Sequence, residues 1–187
     1  MYDALVKLEK ENRPIRVAVV GAGGSMGKGI CLQTKLTPGL KLVAAIDINQ
    51  AGAKEAARLS GHPGVLFSDE LLPVLDKIPI DVLVESTNTV EFAAKTCMEA
   101  LNRKIHVVLM NAEVDLLLRP YLDHLAEKNG VIITSDAGDQ DGVVARMAEE
   151  IQMWGFDLVM LGNIKGFLNR YATIEGMKKE AAKRYLN

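Results

Sequence analysis

The segment Gly21-Ala22-Gly23-Gly24-Ser25-Met26-Gly27 follows directly on the apolar run Ile15–Val20. Glycines at the end of a strand permit a tight turn and let backbone N–H groups come close to an anion, whose charge the start of a following helix then meets. That is the chemistry of holding a diphosphate. The spacing is G-x-G-x-x-x-G, so the third, close-packing glycine arrives one residue later than in the dinucleotide fingerprint G-x-G-x-x-G. About 20 residues beyond the turn, Asp47 ends a second apolar run, where a carboxylate accepts hydrogen bonds from ribose hydroxyls. Turn and acid together predict a bound NAD or NADP, held by Gly21, Ala22, Gly23, Gly24, Ser25, Met26, Gly27 and Asp47. An acid in that place repels a 2′-phosphate and favours NAD, although Lys54 and Arg58 follow closely enough to offset the repulsion.

Three later segments are polar where an apolar run ends. In Glu85-Ser86-Thr87-Asn88, the side chains of Ser86, Thr87 and Asn88 are candidates for ribose or nicotinamide contacts; Asn88, three residues before Glu91, equally suits a helix cap. Asn111, in Met110-Asn111-Ala112-Glu113, is a further cofactor candidate. Glu113 reads either as a general acid or base or as a first-turn carboxylate favoured by the helix dipole. The stretch 135–142 carries Asp136, Asp139 and Asp141, suited to a cationic group or, with Asp139 as a cap, simply solvated. Neither EF-hand spacing nor a His/Cys set supports a metal, and none is expected. His62, His106 and His124 read as structural or exposed, and Cys31 and Cys97 as buried reduced thiols.

Such residues act together only if a frame brings the ends of separate strands to one place. Apolar runs and helical periodicity predict strands at 15–20, 42–46, 65–67, 81–85, 105–109, 131–134 and 157–161. Between them fall helices at 26–36, 50–60, 69–75, 89–102, 113–128 and 140–154, after a first helix at 2–12 that Pro14 stops. A Lys-rich helix at 177–186 ends the chain. Unbroken alternation implies an α/β fold of Rossmann type: a doubly wound, mostly parallel sheet with helices on both faces. Half-apolar composition with only 5% aromatic residues agrees, since a parallel sheet buried on both faces takes small branched side chains. A net charge of −2 with scattered Lys and Arg argues against nucleic-acid binding. The N-terminus lacks a signal-peptide core and no apolar run reaches ~18 residues, so a cytoplasmic protein without membrane contact is expected.

Arg16 to Gly27, Lys104 to Glu113 and Ile164-Lys165-Gly166-Phe167-Leu168-Asn169 together resemble the homoserine dehydrogenase superfamily. More narrowly, Asn111-Ala112-Glu113-Val114-Asp115, Arg119-Pro120-Tyr121-Leu122 and Ala137-Gly138-Asp139 are similar to homoserine-dehydrogenase-like proteins with a C-terminal SAF domain, a group that includes 1-deoxy-D-xylulose 5-phosphate reductoisomerase-like enzymes. The chain departs from homoserine dehydrogenases in having Glu113 where those have the lysine of an Asn-Lys-Ala segment, which argues against homoserine itself. The glycine turn also resembles dihydrodipicolinate reductase, without that family's His-His and Lys catalytic segment. The resemblance implies an NAD(P)-dependent oxidoreductase acting on a carbonyl or hydroxyl of a small polar, possibly phosphorylated metabolite, and a homo-oligomer at full length. Glu113, Asp136, Asp139 and Lys165 are its catalytic candidates. It further implies a cofactor domain over 1–161 and a truncated substrate domain beginning in 162–187. A dihydrodipicolinate-reductase-like enzyme and a non-catalytic NAD(H)-binding regulatory module are the competing expectations.

Overall fold

The computed structural model describes residues 2–136, 140–162 and 170–183. Its backbone divides into two compact units at Gly142/Val143. In the first, helix α1 (Tyr2–Lys10) precedes strand β1 (Ile15–Val20), helix α2 (Ser25–Leu36), β2 (Leu40–Ile46), α3 (Gln50–Ser60), β3 (Leu66–Ser68) and α4 (Leu72–Lys77). Then come β4 (Val82–Glu85), α5 (Val90–Asn102), β5 (His106–Leu109), α6 (Ala112–Asn129) and β6 (Ile133–Ser135). The strands form one sheet of order β3-β2-β1-β4-β5-β6. Every pairing is parallel. This is the dinucleotide-binding strand order, and its direction reverses between β1 and β4, where a crevice opens beyond the carboxyl ends.

Alternation along β1 shows why the sheet must be covered twice. Val17 and Val19 enter a core with Cys31 of α2 and Ala56 of α3, whereas Ala18 and Val20 enter another with Cys97 of α5 and Leu122 of α6. A strand apolar on both faces has no stable place at a solvated surface. Burial pushes both thiols up to about 12, so Cys31 and Cys97 are inert core residues.

Helix starts and stops follow local chemistry. The Asn49 side chain accepts from the Gly52 N–H to cap α3, and Gly61 ends that helix in the left-handed conformation at φ 66°. Pro120 lies inside α6 and withholds a backbone donor. Arg119 braces the helix there, bonding Asp115 and Asp123 one turn to each side and the Ile133 carbonyl on β6. At the amino ends of the strands, Asp81 accepts from both the backbone N–H and the guanidinium of Arg16, tying β4 to β1.

The second unit begins within helix α7 (Gln140–Met153) and includes α8 (Ile174–Lys183). The strand expected at 157–161 is absent: those residues have no regular structure, and Val159 and Met160 are exposed. Among the described residues their apolar run pairs with no strand, and periodicity alone cannot supply a pairing partner. Among the described residues, no helix is long and apolar enough to cross a membrane.

Candidate functional site

The glycine turn is fixed from three sides. At its start the Gly21 and Ala22 N–H groups donate to the Ile46 carbonyl of β2 at 2.9 and 3.1 Å, and Gly21 adopts φ 79°, a conformation that favours glycine. A Cβ on Gly21 would lie 2.8 Å from the Ser86 backbone, so the turns after β1 and β4 meet without room for a side chain. Gly27 explains the longer glycine spacing. A Cβ there would lie 2.1 Å from the Gly21 carbonyl oxygen, so the later glycine makes the close approach of helix to turn.

Asp47 is built into the same turn. Its Oδ2 accepts from the Gly23 N–H and its Oδ1 from the Asn49 N–H, both at 2.8 Å. The Gly23 amide is therefore directed at Asp47 and does not point outward as the glycine pattern suggests. Helix α2 has no side-chain cap and no acidic residue in its first turn. Its first intrahelical bond is from Lys28 N–H to Gly24, so the amides of Ser25, Met26 and Gly27 precede it and carry the helix's positive end. Gly24 and Ser25 are exposed.

Beyond these amides lies a cavity of about 370 Å³ lined by Met26, Ser86, Thr87, Met110, Ala112, Glu113 and Asp136. It collects the start of α2, the ends of β4, β5 and β6 and the start of α6. Five residues expected from the sequence thus meet: Met26, Ser86, Thr87, Glu113 and Asp136. Asp136 Oδ1 is buried without a partner among the described residues. Ser86 anchors its own loop, its hydroxyl donating to the Val20 carbonyl at 2.7 Å.

Other expected residues are placed differently. Asn111 is buried behind the cavity with both amide ends in use: Nδ2 donates to the Thr87 carbonyl and Oδ1 accepts from the Val114 N–H, capping α6. Asn88 is exposed and is not the cap of α5; Thr89 holds that position without a side-chain bond. Asp139 and Lys165 lie outside the described residues. Among the described residues no three His, Cys, Asp or Glu converge as metal ligands. His62 and His106 accept through Nδ1 from the Leu42 and Ile132 N–H groups, a structural use, while His124 is exposed.

One functional candidate escaped sequence reading. Glu85, last residue of β4, is fully buried between Val20 and Leu109 on the neighbouring strands. Its Oε1 accepts from both the N–H and the hydroxyl of Thr87, and its Oε2 has no partner among the described residues. Burial raises its carboxyl above the usual range, against the lowering by the Thr87 bonds. The available signal was a single acid closing a strand otherwise apolar on both faces. A larger cavity of about 770 Å³ opens at the amino ends of the strands, but its arginines are already engaged, Arg16 by Asp81 and Arg13 by Glu11.

Residues 15–137 match the family model described as Dihydrodipicolinate reductase, N-terminus. The chain belongs to that family. A 4-hydroxy-tetrahydrodipicolinate reductase of Methanococcus maripaludis is 42% identical over 93 residues, covering 43% of this chain and 34% of its own. A dehydrogenase from Chromobacterium violaceum superposes with a TM-score of 0.60 at 19% identity, over 74% of this chain and 40% of that one. A homoserine dehydrogenase from Thiobacillus denitrificans gives 0.56 at 20% identity, over 75% and 34%. These two likenesses establish the shared fold. The chain spans well under half the length of the relatives it matches.

Proposed function

We propose that this chain is the cofactor-binding part of an NAD(P)-dependent reductase acting on a small polar metabolite. The observation that carries the reading is the uncapped, exposed start of α2 behind a turn with no room for side chains, opening onto a cavity at the switch point of the sheet. These residues fit a dinucleotide: the amides of Ser25, Met26 and Gly27 would face its diphosphate, Asp47 its adenosine ribose, and Ser86, Thr87 and Met110 its nicotinamide half. The cofactor, when bound, supplies the hydride, while the protein orients it and excludes water. Glu113 and Asp136 line the cavity and are the described groups placed to exchange a proton with a substrate. Of the two enzyme expectations, the family match supports the dihydrodipicolinate-reductase-like one. NAD is the favoured cofactor, because Asp47 would meet a 2′-phosphate with like charge.

Fluorescence titration with NADH and NADPH tests this. Gly23→Val is expected to abolish binding of both, since even a Cβ would stand 3.0 Å from the Asp47 carboxylate and 3.2 Å from Gly52. Asp47→Asn removes the charge and keeps one acceptor oxygen, so one of the Gly23 and Asn49 amides loses its partner. It should shift preference toward NADPH by about tenfold, roughly 1.4 kcal/mol. Tight binding of either cofactor to Gly23→Val would overturn the assignment.

A further inference from the structure

Glu85 makes no use of one of its oxygens and uses the other twice. Oε1 accepts from the amide and the hydroxyl of Thr87, whereas Oε2, equally buried, has no partner among the described residues. Val20 and Leu109 flank Glu85 in the sheet, and Cys97 of α5 is its titratable neighbour on the covered face, itself also facing Asp115 of α6, which is paired with Arg119. Because the Thr87 N–H can only donate, Oε1 is an acceptor, in the ionised carboxylate and equally in an acid protonated on Oε2. The Thr87 hydroxyl must then donate to Oε1. Thr87 also lines the cavity, so what its oxygen offers a ligand is lone pairs alone.

Building on the cofactor reading above, we propose that Glu85 is a positioning residue that makes the Thr87 hydroxyl a dedicated hydrogen-bond acceptor in the cavity, selecting the N–H donors of the nicotinamide carboxamide. An unsupported threonine hydroxyl rotates and serves donors and acceptors alike. Held by Glu85, it rewards a primary amide and gives nothing to a ketone in the same place.

Three probes separate this from the cofactor reading itself: NAD, its 3-acetylpyridine analogue, in which the amide nitrogen is replaced by methyl, and ADP-ribose, which lacks the ring. Calorimetric titration of the full chain should show NAD binding about three- to tenfold tighter than the acetylpyridine analogue, the effect of one net hydrogen bond. Thr87→Val and Glu85→Leu should both erase that ratio. Glu85→Gln, which retains a carbonyl oxygen at Oε1, should restore most of it, a rescue that a merely structural role for Glu85 would not tie to the carboxamide. Equal binding of NAD and the analogue by the wild type, with ADP-ribose still bound, overturns the role of Glu85 and leaves the cofactor reading intact. So does a ratio that survives Thr87→Val. Failure of all three probes to bind overturns the cofactor reading and this proposal with it.

Discussion

Gly27 and Glu85 show how single positions set what the crevice can do. Because a Cβ on Gly27 would sit 2.1 Å from the Gly21 carbonyl oxygen, Gly27→Ala must push helix α2 away from the turn. We expect a loss of about 1 to 3 kcal/mol in stability, as for other overpacked contacts, and weaker NADH binding, read by urea denaturation and titration. An unchanged midpoint would mean that the turn yields freely. Glu85 also links stability to pH. Its folded-state pKa is raised by burial, so below its unfolded value of about 4.3 both states are protonated and the contribution is complete. As pH rises toward the folded value the unfolded chain alone ionises, and stability is lost. Glu85→Gln removes this term, so melting temperatures at pH 5 and pH 8 should differ less in the variant than in the wild type. The glycine motif and Asp47 were legible because backbone approach and charge leave marks in residue type. Glu85 was not, since whether a strand-ending acid faces solvent or a helix layer depends on α5 and α6.

At the scale of elements, the amino ends of β1 and β4 are held by Arg16 and Asp81 and their carboxyl ends by Ser86 bonding to Val20. The two strands that border the crevice are thus fixed at both ends. The Arg16 side-chain bond is the main cause holding the Asp81 carboxyl below its usual range. A depressed acid contributes stability above its unfolded pKa and loses it as pH falls through the folded value, so this tie weakens only in acid, opposite in sense to Glu85. Both side chains are more than a third exposed, so solvent screening limits the pair to about 1 kcal/mol or less. A double-mutant cycle of Arg16→Ala and Asp81→Ala in urea should return a coupling of that size; zero coupling would reduce the pair to a surface contact. Helix and strand positions up to residue 135 were readable, because each apolar run there has a neighbouring strand to pair with. The run at 157–161 looks the same in sequence and is not a strand, since pairing is a property of neighbours. The start of α5 was misplaced for a similar reason: Asn88 and Thr89 are both plausible caps, and the chain path after β4 puts helical geometry after Thr89.

For the whole molecule, every described residue assigned to the cofactor lies before the division at Gly142, and so do all six strands. The core on both faces of the sheet is also drawn entirely from that first unit. Dinucleotide affinity should therefore be a property of residues 1–142. A polypeptide of that length is expected to fold cooperatively and bind NADH within about threefold of the full chain, a difference of under ~1 kcal/mol. Catalytic turnover carries the opposite expectation. Glu113 and Asp136 stay in the fragment, but a reductase needs a substrate surface besides its cofactor site. Calorimetry on the fragment and on the full chain decides the first point. A loss of binding beyond tenfold, with the fragment still folded by circular dichroism, would show that residues 143–187 contribute to the cofactor site, and the boundary of the functional unit would have to move with them.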